Sequence, residues 1–312
     1  MGERVDGVIR GKVPMDDYVR DRVGHNPPTL SSSIAHLLLS RSPRHAWLKH
    51  PVLNPLWEPD DRRDFDLGTA FHAVLLEGKV LSTVPFEDYR TKAAQVARDN
   101  LKALGAIPAL RWQAEAVGRM VESAHAKFMD CADLAGVVYS TLEPERTCVW
   151  TCGRVALRCR PDWLTPDRSV IVSVKTTTNA EPEAFLRGPL AAHGYDLQAA
   201  FELAAVKAIC GVDAHYVYLV VECDPPYAAS LIGLSPEWRE FAAGKMRRAM
   251  ELWGDCLNAG TWPAYPDRIC YVDLPPWLQT RAVERGIVAM PAPVVFDDGR
   301  DISAQLFGDE RP

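Results

Sequence analysis

The chain has 312 residues, 47% of them hydrophobic, with 35 Lys and Arg against 41 Asp and Glu. Such a composition can bury a large core, and a net charge of −6 excludes a chain that is basic throughout, so any phosphate contact must come from a local groove. No apolar run approaches the roughly 20 residues of a bilayer span, and the opening Met1-Gly-Glu-Arg-Val-Asp lacks the apolar core of a secretion signal. The expected setting is therefore cytoplasmic, with no membrane partner. Eight cysteines stand at irregular spacings without a Cys-x-x-Cys, which in a reducing compartment reads as free thiols.

In chain order, residues 1–27 are polar and mixed in charge and are expected to form a mobile or loosely docked arm. Thr29 to Ser33 offers N-caps for a helix through Leu39. Ser42-Pro43 ends that helix and opens another through Lys49, either a DNA-backbone contact or an amphipathic pair packed on the core. Asp64 to Glu77 predicts a mostly buried helix. Thr91–Arg98 and Trp112–Cys131 are also helical, the second with Ala116, Val117, Met120, Val121 and Ala124 on its apolar stripe. Strands are expected from Gly136–Tyr139, around Trp150, and over Arg154–Asp162. Pro182 opens a short helix, and Tyr195–Ile209 forms the next, with Tyr195, Gln198 and Glu202 on one face. Ala214–Glu222 is apolar enough for the inside of a sheet. Pro236–Asn258 predicts a long helix whose Lys245, Arg247 and Arg248 line either a DNA path or a solvated face. Residues 276–312 read as a peripheral tail.

One stretch organises the rest. Arg160-Pro-Asp162-Trp-Leu164, a turn at Thr165-Pro-Asp-Arg168, and Ser169 to Thr178 read as two antiparallel strands. On the second, Val170, Val172 and Val174 share one face, and Ile171, Ser173 and Lys175 the other. On the first, Arg158, Arg160 and Asp162 alternate with Leu157 and Cys159. A carboxylate and a lysine thus project from neighbouring strands. That pairing suits a phosphodiesterase: the carboxylate holds a hard divalent cation, and the lysine steadies an attacking water or the phosphate charge.

The chain resembles the RecE-type phage and prophage exonucleases of the PD-(D/E)XK nuclease superfamily. The resemblance is carried by Leu30–Ser33 with Ser42–His45, Gly68-Thr-Ala-Phe-His72, Glu145 with Trp150, Arg160-Pro-Asp162, Val174-Lys-Thr-Thr177, Tyr195 with Gln198, and Asp255–Asn258 with Trp262-Pro263. It implies an α/β fold over residues 28–275: a PD-(D/E)XK nuclease core with a mixed central sheet flanked by helices and an N-terminal helical part. It further implies a magnesium (Mg2+) or manganese (Mn2+) dependent exonuclease acting on double-stranded DNA ends, a homo-oligomer, and a single-strand annealing protein as partner. Asp162 would ligate the metal with His72 and Glu145, Lys175 would act on the water or phosphate, and Gln198 would position the nucleotide or the lysine. Arg158 and Arg160, on the same strand face as Asp162, are expected to contact DNA, as is Tyr195. Some relatives carry an iron–sulfur cluster; Cys210, Cys223, Cys256 and Cys270 are too scattered to suggest one here.

The chain departs from that pattern twice. Ser173 stands where an acid belongs, and Glu202 where a tyrosine belongs. A serine cannot neutralise a cation as a carboxylate does. Three readings follow: the carboxylate has migrated to Glu202, the nuclease is degenerate but still binds or caps DNA, or the loss is incidental.

Overall fold

A computed structural model describes residues 7–24, 28–59 and 65–287. Residues 7–24, within the stretch expected to be an arm, are folded onto the rest; 1–6 and 25–27 lie outside the described residues. The chain runs β1 (Gly7–Arg10), α1 (Met15–Val19), β2 (Leu30–Ser31), α2 (Ser32–Ser40) and α3 (Pro43–Lys49). Ser31 caps α2 by accepting the Ile34 N–H, and proline at the first turn of α3 needs no N–H there. Next come α4 (Leu67–Glu77), β3 (Leu81–Val84), α5 (Lys92–Ala103), β4 (Ile107–Leu110) and α6 (Arg111–Met129). The centre follows with β5 (Glu143–Pro144), β6 (Thr147–Cys152), β7 (Val155–Cys159), β8 (Trp163–Leu164) and β9 (Val170–Thr177). After it come α7 (Pro182–Phe185), α8 (Tyr195–Cys210), β10 (His215–Glu222), β11 (Ala229–Gly233) and α9 (Pro236–Ala259).

The architecture is mixed α/β, with mixed sheets flanked by helices. Among the described residues, five strands lie in the order β11-β10-β9-β8-β5, four in the order β1-β6-β7-β2, and β3 pairs with β4. β9 and β10 run parallel, Ser173 beside Tyr218 and Ile171 beside Tyr216. Both are runs of β-branched and aromatic residues, as strands buried on two faces require. β8 pairs antiparallel with β9, so the turn at Thr165–Arg168 is where the sequence puts it.

The strand expected over Arg154–Asp162 is broken. β7 ends at Cys159 in the four-stranded sheet, and β8 starts at Trp163 in the five-stranded one. Arg160-Pro161-Asp162 is the crossing between them. Pro161 has no N–H with which to continue a ladder. Gly136–Tyr139 is not a strand either; a 3-10 turn covers Tyr139–Thr141. β1, β2, β3, β4, β5 and β11 are additions to the expected set.

Helix α8 joins the two halves. Leu197, Phe201 and Ala205 pack with α2, α9 and the four-stranded sheet, against Leu30, Trp150, Leu157, Met246 and Trp253. Ala199 and Val206, on another side of α8, pack with Ile171, Tyr216, Tyr218 and Val220 of the five-stranded sheet. The opposite face of that sheet, Val172, Val174 and Leu219, meets Phe71 of α4 and Val117 and Met120 of α6. Gly194 starts α8 at φ +71°, and a Cβ there would lie 2.6 Å from the His36 ring, so only glycine serves.

Residues 265–312 form a separate unit. Its described part contains helix α10 (Pro276–Glu284), inside the expected tail, while 288–312 lie outside the described residues. No described helix is long and apolar enough to cross a membrane.

Candidate active site

The crossing at Arg160–Asp162 delivers Asp162 to the edge of β9. Its Oδ2 accepts the Val174 N–H at 2.8 Å and the Ser173 hydroxyl at 3.1 Å. The Lys175 Nζ lies 3.7 Å from the same oxygen. The expected juxtaposition of carboxylate and lysine is therefore present, made by a crossing segment rather than by a strand partner. Ser173 is fully buried and spends its hydroxyl on the acid. Tyr195, expected to contact DNA, lies under the lysine, with Nζ 4.8 Å from its ring centroid; that contact holds the ammonium in place.

A cavity of about 940 Å³ opens beside this pair, lined by Asp162, Glu145, Glu202, Gln198, His72 and Arg160 among others. Glu145 reaches it from a left-handed backbone, φ 50°, with its N–H bonded to the Asp162 carbonyl. Its Oε2 is 2.8 Å from Arg160 and 2.7 Å from Lys12. Lys12 also pairs with Glu77 at 2.9 Å. Burial opposes the lysine's charge, but Glu145 and Glu77 outweigh it and hold the pKa above the ordinary value. Nothing in the polar N-terminal sequence signals this contact.

His72 owes its place to Gly68, one turn earlier on α4. A Cβ at Gly68 would come 2.6 Å from Thr176 Oγ1, so glycine lets the helix approach β9 just beyond Lys175. Burial lowers the His72 pKa, which favours the neutral imidazole, the form that ligates a metal.

Glu202 is 1% exposed. Its Oε1 accepts from Gln198 at 2.8 Å and its Oε2 from the Tyr216 hydroxyl at 2.9 Å. Burial, and then the charge of Asp162, push its pKa up to about 7. Burial and Glu202 likewise raise Tyr216, which stays a donor. The two exchanged positions thus meet through one buried network on β9, β10 and α8. Tyr216, which donates its hydroxyl to Glu202, is a residue that sequence reasoning passed over because it reads as an ordinary strand aromatic.

Arg158 is a correction. It does not face the cavity and is 3% exposed. It pairs with Asp21 at 2.7 Å and donates to the Thr29 carbonyl at 2.8 Å. Asp21 also accepts the Thr29 N–H at 2.8 Å, and His50, its pKa lowered by burial to about 4, contacts the same carbonyl at 3.1 Å. A guanidinium so enclosed cannot hold a phosphate. Arg160, two residues on, does line the cavity, although Glu145 and the Val13 carbonyl engage it.

Among the described residues no three His, Cys, Asp or Glu side chains stand together in a metal-holding group. The chemistry of the cavity's donors still fits a hard divalent cation: carboxylate oxygens, with one neutral imidazole, face a common space. Lys12 and Arg160 on Glu145, and Gln198 and Tyr216 on Glu202, are the contacts such an ion would have to replace.

This fold is that of a PD-(D/E)XK nuclease core. The model of the PDDEXK-like domain of unknown function designated DUF3799 matches residues 33–275, and the chain belongs to that family. No curated protein matches the chain. Among solved structures, a Eubacterium rectale protein designated an exonuclease is similar at 12% identity and TM-score 0.53, over 86% of this chain and 97% of its own. A phage-related exonuclease from Haemophilus somnus 129PT aligns at 10% identity and TM-score 0.26, over 61% of this chain and 95% of its own. At these identities the first likeness shows the fold.

Proposed function

We propose that the chain is a divalent-metal-dependent nuclease that degrades DNA from double-stranded ends in phage-type recombination. The observation that carries this reading is the Asp162–Lys175 pair, fixed by Ser173, Val174 and Tyr195 beside an acid-lined cavity. Bound magnesium or manganese would supply Lewis-acid polarisation of a phosphate oxygen and acidify a water. Asp162 and His72 would hold it, with Glu145 or Glu202 as a further donor. The Lys175 ammonium offsets negative charge at the phosphorus centre. Gln198, anchored on Glu202, positions the nucleotide. A homo-oligomer and an annealing partner belong to the same proposal.

A second reading, a catalytically silent nuclease fold that binds or caps DNA, is favoured by Ser173 and by the engagement of both Glu202 oxygens. Nucleotide release decides between them. The exonuclease reading expects release from linear duplex in magnesium or manganese, none in chelator, and none from covalently closed circles. Tight binding to linear duplex with no release under any metal would establish the silent fold instead.

A further inference from the structure

The cavity beside Asp162 has a second polar wall, built by the segment between α4 and α6. Lys79 follows the α4 C-cap, Tyr89 precedes α5, and Arg98 and Lys102 stand four residues apart on one side of α5. Ile107 and Pro108 of β4 add apolar surface. Arg98 lies over the Tyr89 ring, 5.4 Å from guanidinium carbon to centroid, with its Nε held by Asp99 at 2.8 Å. Of the α5 side chains only Ala94 is buried, so the core does not account for the helix's cationic face. The Tyr89 hydroxyl is buried and has no hydrogen-bond partner among the described residues. A dry, unmatched hydroxyl is disfavoured, and the Tyr89 side chain that carries it lines the cavity beside two cations.

An anion meets these groups best. The remaining walls carry Asp66, Glu77, Glu145, Asp162 and Glu202, which repel anions unless something offsets them. A phosphodiester oxygen takes charge-assisted donors from guanidinium and ammonium. An aromatic ring topped by a guanidinium offers a flat face on which any base can stack. At about 940 Å³, the cavity is near the top of the range for small-ligand pockets, with room for more than the phosphate being cut.

We propose that Tyr89, Arg98 and Lys102, with Lys79, form a strand-binding subsite for one phosphodiester and its base on the DNA strand whose cleavage is assigned to Asp162 and Lys175. The ammonium and guanidinium groups take the phosphate, the Tyr89 hydroxyl donates to it, and the Tyr89–Arg98 face receives the base. This rests on the nuclease reading for the identity of the polymer, but not on hydrolysis.

Binding in chelator, where nothing is cut, tests it. The full chain is titrated into a fluorescein-labelled single-stranded oligothymidylate and followed by anisotropy over a salt series. Arg98→Ala/Lys102→Ala is expected to weaken binding about tenfold and to lower the salt slope by about 0.7, for the one lost single-strand phosphate contact. Tyr89→Phe should weaken it about threefold, and Tyr89→Ala tenfold or more through lost stacking. Arg98→Lys/Lys102→Arg should recover the slope, which a folding defect would not allow. An unchanged affinity and slope in the double Ala variant, while the parent binds, overturns the subsite and leaves the nuclease reading standing. A parent that does not bind the strand at low salt also overturns it, and the nucleotide-release assay then judges the nuclease reading separately.

Discussion

Two pairs of cation and carboxylate, one buried and one half-buried, are set by neighbouring stretches of chain: Arg158 with Asp21, and Lys175 with Asp162. Both combine one positive with one negative side chain, and backbone groups complete both. In the first, the Thr29 backbone, the Tyr18 ring and His50 enclose the charges on all sides. In the second, Ser173 and the Val174 N–H take one carboxylate oxygen, Tyr195 flanks the lysine, and Asp162 opens on the cavity. The difference lies in what the partners leave uncovered. A closed pair is a structural joint, whereas an open one retains capacity for a ligand. Alternation along a strand does not separate the two cases, which is why Arg158 looks like a phosphate contact in the sequence.

Substitution should separate them in opposite directions. Asp162→Ala and Lys175→Ala are each expected to lower nucleotide release by at least about 10²–10⁴-fold, the scale of a positioned catalytic group, while thermal melting stays near that of the parent. Near-normal turnover in either variant would remove the site from this hairpin.

Arg158→Ala or Asp21→Ala should do the reverse. Removing one partner strands a buried charge, at a cost of about 3–5 kcal/mol of stability. Urea titration measures that loss, and release per folded molecule should hold. An Arg158→Ala protein of parental stability that no longer binds DNA would collapse the comparison.

Glu202 gives a smaller, pH-dependent effect. Its folded pKa of about 7 lies above the ordinary 4.5, so between those values the folded chain holds a proton that the unfolded chain releases. Stability from this group is complete below pH 4.5 and falls as pH rises through 7, by about 3 kcal/mol. Glu202→Gln should flatten urea midpoints between pH 5 and pH 8; a slope unchanged from the parent refutes this. In activity, migration of the ligand role predicts that Glu202→Gln costs as much as Asp162→Asn and that Ser173→Asp then restores part of it. Silence in the parent with activity created by Ser173→Asp alone points to a degenerate nuclease.

Ser173→Ala should have the smallest effect. It removes one hydrogen bond to Asp162, worth roughly 1 kcal/mol, and leaves the one from Val174. Release is expected to fall several-fold without a change in salt dependence, checked by initial rates at two ionic strengths.

Much of the fold is legible because periodicity and caps speak locally. The Ser31 cap, the Ser42-Pro43 helix start, the Thr165 turn and the β-branched runs of β9 and β10 all stand where their residues imply. β1, β4 and β11 are not legible: each is short and takes its identity from the strand it pairs with. In the site, Asp162 and Lys175 declare themselves by spacing. Glu202 does so only as an exception at an expected position. Lys12 and Tyr216 come from distant sequence and carry no local sign of their partners, since ion pairs and buried hydroxyl networks form across the chain.

β1 lies along β6 with Arg10 opposite Thr147, and Asp21 completes the Arg158 pair from the same N-terminal segment. Both contributions precede residue 33, where the match to the family begins. A protein trimmed to its recognisable homology would therefore bare the hydrogen-bonding edge of β6 and leave a guanidinium in the interior without its counter-charge. The bared edge offers a template for intermolecular strand pairing, and the orphaned charge loosens the monomer that could resist it. In this chain the span that the family model matches is shorter than the span that folds, and shortened versions should fail by insolubility before any question of catalysis arises.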